Sequence, residues 1–194
     1  MSTPADDPAL QATLRSSTAV PFEGHLFRII PGSSIVRNIR FEHLWAGTAA
    51  GRCNPKGVAR LYMSLERETA QAEFNYYQTL GGLDPVLSDW YSFAARVKFA
   101  RVLDLRCAKT RKQVGLTLKE IGNEWDDDPL HPRAVPARLQ SIGYWISKGY
   151  GDFSGIVYRS ARRRAGHNIV IFAGRVTGTD FVVPISRAPT KGWP

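Results

Sequence analysis

Residues 51–73, GRCNPKGVARLYMSLERETAQAE, decide the interpretation of this chain, because they predict a loop, a strand and a helix in close succession. The first seven residues are rich in glycine and contain a proline, which predicts an irregular loop. Residues 60–63 predict a strand. Ser64 is expected to cap a helix that ends at Gly81, and Glu73 lies beside the apolar face of that helix. The stretch therefore brings a loop arginine, a strand tyrosine and a helix carboxylate close together in sequence.

Outside this stretch, short strands and short helices follow one another in irregular order. Apolar runs predict further strands at residues 26–30, 97–105, 155–158, 168–172 and 181–183. A capping box that starts at Thr117 predicts one helix. Pro136 can occupy the first position of another, whose inner face is formed by Leu139, Ile142 and Ile146. Strands outnumber helices, so we expect an α+β fold with a mixed, strongly bent β-sheet and flanking helices.

The length and composition predict a single domain. The chain has 194 residues, of which 43% are hydrophobic, enough for one well-buried core and too few for two independent ones. Residues 1–23 lack a sustained apolar period and are rich in small and polar residues, so we expect them to form a flexible N-terminal arm. Residues 24–194 are expected to form the domain itself.

The net charge of +9 and a pI near 9.9 indicate a polyanionic partner. Nucleic acid, a small molecule that bears phosphate and an acidic protein all fit this charge. No helix-turn-helix, KH or RNP signature is present, and the run from Arg162 to Arg164 is typical of a solvated basic loop. Direct binding of nucleic acid is therefore disfavoured, although a basic nucleic-acid-binding module without catalysis remains the alternative of another class.

Cysteine and histidine usage predicts neither a metal site nor a disulfide framework. The two cysteines, Cys53 and Cys107, form no C-x-x-C motif, and the four histidines are scattered. This pattern is typical of a reducing cytoplasm. No window approaches the roughly 20 apolar residues of a membrane span, and the polar start of the chain argues against a signal peptide. We therefore expect a cytoplasmic protein without metal and without a membrane partner.

Four side chains are candidates for chemistry, each with a structural alternative. Glu73 can form a salt bridge at a helix edge or face a pocket. Arg52 can cap loop carbonyls or hold a pyrophosphate bidentately, although no Walker A or G-x-G-x-x-G motif surrounds it. Tyr62 can be a core residue or a stacking platform. Ser160 follows a predicted strand, where serine is usually a turn residue, and no G-x-S-x-G motif supports a nucleophile there.

Several motifs occur in an order that resembles the RES domain, a family named for its arginine, glutamate and serine. They span residues 26–172 and are Phe27-Arg28, the loop from Gly51 to Gly57, Leu61-Tyr62, Ala70-Gln71-Ala72-Glu73, Leu103-Asp104-Leu105, Gly155 to Ser160, and Gly166-His167-Asn168. Two positions depart from the family pattern. Phe27 replaces a tyrosine of the first strand, and Cys53 replaces the aromatic residue that commonly follows the loop arginine.

The resemblance implies an ADP-ribosyltransferase-like fold that acts on NAD as its substrate. The family implies a bacterial toxin that depletes NAD by hydrolysis or phosphorolysis, with protein mono-ADP-ribosylation as the alternative within enzymes. Glu73 would stabilise the transition state or orient the nucleophile, and Arg28 and Arg52 would bind the pyrophosphate. Tyr62 would stack near nicotinamide, and Ser160 would hydrogen-bond the nicotinamide ribose.

The resemblance also implies a partner. It would be an inhibitory antitoxin with a helix-turn-helix domain, whose tail covers the active site. The sequence leaves open a homodimer and the choice of acceptor among water, phosphate and a protein side chain.

Overall fold

A computed structural model describes residues 4–31, 47–80, 90–122 and 137–189. The strands in this part of the chain are β1 (Val20–Pro31), β2 (Arg60–Ser64), β3 (Trp90–Asp104), β4 (Gly155–Arg159), β5 (His167–Phe172) and β6 (Phe181–Pro189). Its helices are α1 (Pro8–Ser16), α2 (Arg67–Leu80), α3 (Ala108–Gln113), α4 (Leu118–Gly122) and α5 (Arg138–Ser147), with a 3₁₀ turn at Ala173–Arg175. None of the helices within these ranges is long and apolar enough to cross a membrane.

The strands form one mixed sheet in the order β1-β2-β5-β4-β3-β6. β3 and β4 are parallel, and the other neighbours are antiparallel. β1 pairs with β3 from Val20 to Pro31 and also meets β2 where Phe27 lies opposite Ser64. Because β1 pairs with both β2 and β3, the sheet bends until it closes on itself. The predicted α+β class with a strongly bent mixed sheet is confirmed.

Alternate residues of the strands face two separate hydrophobic clusters, as the two-residue period of a strand requires. In β5, Ile169 and Ile171 join a cluster whose buried members all come from the strands and which fills the inside of the bent sheet. Val170 and Phe172 face the opposite side, where α1, α4 and α5 cover the sheet. Tyr62 of β2 packs against this second, helix-covered cluster. The candidate site lies at the end of the helix-covered face.

Helix α5 positions the loop that the sequence singled out. Its inner residues Leu139, Ile142 and Ile146 are buried as predicted, whereas Pro136 lies outside the described residues. Gly143 lets the helix approach closely, because a Cβ at this position would overlap the backbone carbonyl of Cys53. The 51–57 loop is therefore fixed by packing against a helix and not by local turns alone.

The N-terminal segment differs from the flexible arm expected over residues 1–23. Residues 8–16 form α1, whose first turn is capped by the Asp7 carboxylate accepting from the Leu10 backbone N–H at 2.9 Å. Leu10 and Leu14, four residues apart and therefore on one face, are fully buried in the helix-covered cluster. Two apolar residues are too few to stand out as a period, which is why the sequence did not reveal this helix.

Ser64 is not the helix N-cap that the sequence predicts. β2 continues through Ser64, and α2 begins at Arg67. The Ser64 hydroxyl instead donates to Asn168 Oδ1 of β5 at 2.7 Å, so it is used across the sheet. The predicted end of the helix at Gly81 lies outside the described residues. The capping box at Thr117 is confirmed, since the Thr117 hydroxyl accepts from the Glu120 backbone N–H at 3.2 Å and Glu120 accepts from the Thr117 N–H at 2.7 Å.

The last strand runs further than predicted. We expected it to stop before Pro184, because proline lacks the N–H that a strand ladder needs. β6 nevertheless extends from Phe181 to Pro189, and its register with β3 shifts between Ala94 and Ala95, beside Pro184. A bulge at the proline on a strand at the end of the sheet order accommodates the missing donor.

Candidate active site

The 51–57 loop is built around a buried asparagine. Gly51 and Asn54 exchange backbone hydrogen bonds at 2.8 and 3.2 Å, which closes a tight turn. The Asn54 amide donates to the carbonyls of Ala49 and Pro55, both at 2.9 Å. A Cβ on Gly51 would lie 2.8 Å from both Asn54 Oδ1 and the Tyr62 hydroxyl, so there is no room for a side chain at residue 51. These hydrogen bonds and the close packing at Gly51 hold the loop in one conformation.

Tyr62 joins this loop to the sheet. Its hydroxyl donates to Asn54 Oδ1 at 2.8 Å and accepts from the Cys53 backbone N–H at 2.8 Å. The ring is half-buried, and the Arg60 guanidinium lies 5.4 Å from its centre. Tyr62 therefore has the structural role expected of a core tyrosine, because its hydroxyl is hydrogen-bonded to neighbouring groups. The stacking role stays a prediction.

Arg52 also makes a structural contact. One guanidinium nitrogen donates to the backbone carbonyl of Ile121 at 2.7 Å, which ties the loop to α4. Its positive charge also acts on two buried groups, Cys53 and Tyr158. Burial raises the pKa of both groups, and the charge of Arg52 opposes that increase. Arg52 is half-buried, so part of its side chain remains accessible to a ligand.

Cys53 of the loop and Tyr158 of β4 are both buried. Burial raises the pKa of the Cys53 thiol to about 12 and that of the Tyr158 hydroxyl well above its usual value. The Glu73 carboxylate acts in the same direction on both groups. Cys53 is therefore a thiol and not a thiolate at neutral pH, which excludes it as a nucleophile in this state.

The Glu73 carboxylate lies where α2 meets the ends of β4 and β5. Its Oε1 accepts from the Ser160 hydroxyl at 2.7 Å and from the Asn168 amide at 2.6 Å. Glu73 itself is half-buried, whereas Ser160 and Asn168 are 5% and 6% exposed. The structure thus joins two predicted site residues, Glu73 and Ser160, although they lie 87 residues apart in the chain.

A tight loop after β4 orients Ser160. Its hydroxyl oxygen accepts from the backbone N–H groups of Arg162 and Arg163 at 3.0 and 3.1 Å. With both N–H groups directed at the oxygen, the hydroxyl proton is left to donate to Glu73. The guanidinium of Arg162 lies over the ring of Tyr76, 3.1 Å from its centre, which connects this loop to α2.

A second contact fixes the start of α2. The Glu66 carboxylate accepts from the Thr69 hydroxyl at 2.7 Å and from the His167 backbone N–H at 2.9 Å. Burial favours the neutral form of Glu66, but these hydrogen bonds outweigh it and lower the pKa of the carboxyl. The anchor connects α2 to β5 two helical turns before Glu73.

Arg28 and Arg60 place two positive charges near the first two strands. Burial, followed by the charge of Arg60, lowers the pKa of Arg28 to about 10, so Arg28 remains a cation at neutral pH. An anion bound near both guanidinium groups would offset the repulsion between Arg28 and Arg60. Arg60 is held by Asn54, whose Oδ1 accepts from its Nε at 3.1 Å.

The sequence did not assign a role to two residues of this site, Arg60 and Asn168. Arg60 lies two residues before Tyr62 in β2, so strand periodicity would have placed both on one face. Asn168 was part of a quoted motif but had no assigned function. Among the residues that the structure describes, no group of three or more His, Cys, Asp or Glu side chains could hold a metal ion.

Comparison with known proteins agrees with the motif order. Residues 25–190 match the model of the RES domain, so the chain belongs to the RES domain family. The fold is similar to that of a chain in the crystal structure of the M. tuberculosis MbcT-MbcA toxin-antitoxin complex. The TM-score is 0.74 at 16% sequence identity, and the match covers 95% of this chain and 93% of that chain. No curated protein sequence matches the chain.

Proposed function

We propose that this chain is a RES-domain toxin that cleaves the bond between nicotinamide and ribose in NAD. The observation that carries the proposal is the Glu73 carboxylate, held through one oxygen by Ser160 and Asn168 at 2.7 and 2.6 Å. A carboxylate fixed in this way can stabilise positive charge without rearranging during the reaction. Membership of the RES domain family supports NAD as the substrate.

The reaction needs a carboxylate because breaking this bond creates a cation. The electron pair of the C1′–N bond leaves with nicotinamide, and the ribose acquires positive charge at its anomeric carbon, as in glycoside cleavage. An oxygen nucleophile then forms a bond to C1′ and loses a proton. With water the products are nicotinamide, ADP-ribose and a proton, whereas inorganic phosphate would give ADP-ribose phosphate.

The arginines supply the second part of the site. We propose that Arg28, Arg52 and Arg60 bind the pyrophosphate of NAD, with Arg52 using guanidinium nitrogens other than the one that contacts Ile121. The ring of Tyr62 would lie near nicotinamide. Because the Ser160 proton is donated to Glu73, we propose that Ser160 influences the nicotinamide ribose through that carboxylate.

The experiment that tests this function is product analysis with the purified chain. NAD is incubated with the protein in water, in phosphate buffer and in cell lysate. We expect release of nicotinamide, with ADP-ribose or its phosphate in the defined buffers, while a labelled protein in lysate would indicate mono-ADP-ribosylation instead. Overproduction without a partner should lower cellular NAD and stop growth. An intact NAD pool, combined with duplex DNA binding that falls steeply with salt, would favour the nucleic-acid module instead.

We further propose that this chain is cytoplasmic and that an inhibitory protein partner binds it there. Cys53 and Cys107 are both free thiols, which agrees with a reducing environment. The net charge of +9 favours an acidic segment that covers the arginines. The family resemblance implies that this segment is the tail of an antitoxin with a helix-turn-helix domain.

Competition between this partner and NAD is the expected result. A saturating NAD analogue should weaken binding of the partner, and the partner should weaken binding of the analogue by the same factor. Titration calorimetry in both directions measures the two factors. Simultaneous binding without mutual effect would show that inhibition does not operate by covering this site.

A further inference from the structure

We infer that Asn168 is a positioning residue that, together with Ser64, fixes the Glu73 carboxylate and determines which of its oxygens faces the substrate. The inference rests on the proposed function, because it assigns a role within the same cleavage reaction. It goes beyond the arginine, glutamate and serine for which the family is named. It depends on a short chain of hydrogen bonds through the sheet.

The chain of hydrogen bonds runs from β2 through β5 to α2. Ser64 Oγ donates to Asn168 Oδ1 at 2.7 Å, and Asn168 Nδ2 donates to Glu73 Oε1 at 2.6 Å. Ser64 and Asn168 are register partners on adjacent antiparallel strands, so the backbone ladder holds their side chains side by side. They are 4% and 6% exposed, so solvent water has little access to replace either partner.

The direction of this chain of bonds is fixed by chemistry. A carboxylate can only accept hydrogen bonds, so the NH₂ end of the Asn168 amide must face Glu73. The amide oxygen then faces Ser64, whose hydroxyl must be the donor. Reversing the amide would place two oxygens against each other in a buried setting, which costs free energy. Glu73 therefore decides which end of the Asn168 amide faces it, and the Ser64 hydroxyl, as a donor, holds the amide in place so that Asn168 in turn fixes the carboxylate.

The two donors to Glu73 act on the same oxygen. Ser160 and Asn168 both donate to Oε1, and within the described residues no hydrogen bond reaches Oε2. Two donors on one oxygen fix the position of Oε1 and restrict movement of the carboxylate. Oε2 is thus the oxygen available to the ribose cation. Loss of Asn168 would leave Glu73 attached through Ser160 alone and free to rotate about that contact.

The first test compares Asn168→Ala with Asn75→Ala, a change of the same size at an exposed position of α2. Misplacement of a catalytic group by about 1 Å can cost on the order of a hundredfold in rate. We expect Asn168→Ala to lower kcat by about tenfold to a hundredfold with KM changed by less than about twofold, because the pyrophosphate contacts remain. Asn75→Ala should match the wild type. A folded Asn168→Ala variant with wild-type kcat would overturn the inference.

A second test distinguishes positioning from a general effect on stability. Ser64→Ala should lower kcat less than Asn168→Ala, and should add almost nothing in the double variant, because both act through one chain of bonds.

Asn168→Asp should be least active at high pH and recover as pH falls, when the introduced carboxyl regains a proton to donate to Glu73. Additive effects of the two alanine changes, or a pH profile of Asn168→Asp parallel to that of the wild type, would contradict the inference. Wild-type protein that releases no nicotinamide would instead refute the proposed function, so the two failures are distinct.

Discussion

Replacement of Glu73 by glutamine is expected to reduce the rate of nicotinamide release by about a thousandfold. Glutamine has almost the shape of glutamate, and its carbonyl oxygen can still accept from Ser160 and Asn168. The variant should therefore keep the fold and lose only the negative charge that we propose stabilises the ribose cation. Steady-state release of nicotinamide, measured beside the midpoint of thermal unfolding, gives both quantities.

The matched control is Glu68→Gln on the same helix. Glu68 is exposed near the start of α2, so its loss changes the net charge equally without touching the site. We expect full activity from this control and growth arrest when it is overproduced, whereas Glu73→Gln should relieve the arrest. Equal activity of Glu73→Gln and wild type at equal thermal stability would remove Glu73 from its proposed role.

Arg52→Lys is expected to weaken NAD binding by about tenfold to a hundredfold although the charge is conserved, since hydrogen bonds to charged groups contribute about 1.5–3 kcal/mol. A lysine ammonium is a point charge, so it cannot contact the Ile121 carbonyl and a pyrophosphate with the planar fork that arginine provides. Binding is measured by calorimetry in the Glu73→Gln background, where turnover does not interfere. Unchanged affinity would show that Arg52 only supports the loop.

Arg111→Lys provides the control for the structural part of this effect. One Arg111 guanidinium nitrogen donates to the carbonyls of Leu105 and Arg106 at 2.8 and 2.6 Å, a role comparable to the contact of Arg52 with Ile121. Both variants should lose some stability in thermal unfolding. The loss of NAD affinity should be confined to Arg52→Lys.

The sequence predicted the fold class and the family, but it misplaced the ends of several elements. The resemblance to the RES domain implied that Glu73 and Ser160 belong to one site, and the structure joins them by a hydrogen bond of 2.7 Å. Asn168 had no assigned role, since its importance depends on the register of β2 with β5. Register is a long-range property of the sheet, and a single strand does not display it.

The errors in the fold have local causes. Ser64 has the residue type of a helix cap, but its partner across the sheet, Asn168, uses its hydroxyl. Leu10 and Leu14 form a helix face that becomes recognisable only when the core that they fill is known. Pro184 lacks the N–H that a regular strand ladder needs, yet a bulge between β3 and β6 accommodates it. In each case a tertiary contact outweighs a local preference.

The alternation of residues along β2 and β5 couples correct folding to the proposed activity. Met63 and Ile169 point into the bent sheet, while their neighbours Ser64 and Asn168 point out of it toward Glu73. A shift of one residue in either strand would turn its polar side chain toward the apolar interior of the bent sheet and away from Glu73. A misaligned chain would therefore be less stable and would also lack the proposed activity. The apolar interior thus selects the strand alignment that brings Asn168 to Glu73, the arrangement on which the proposed activity depends.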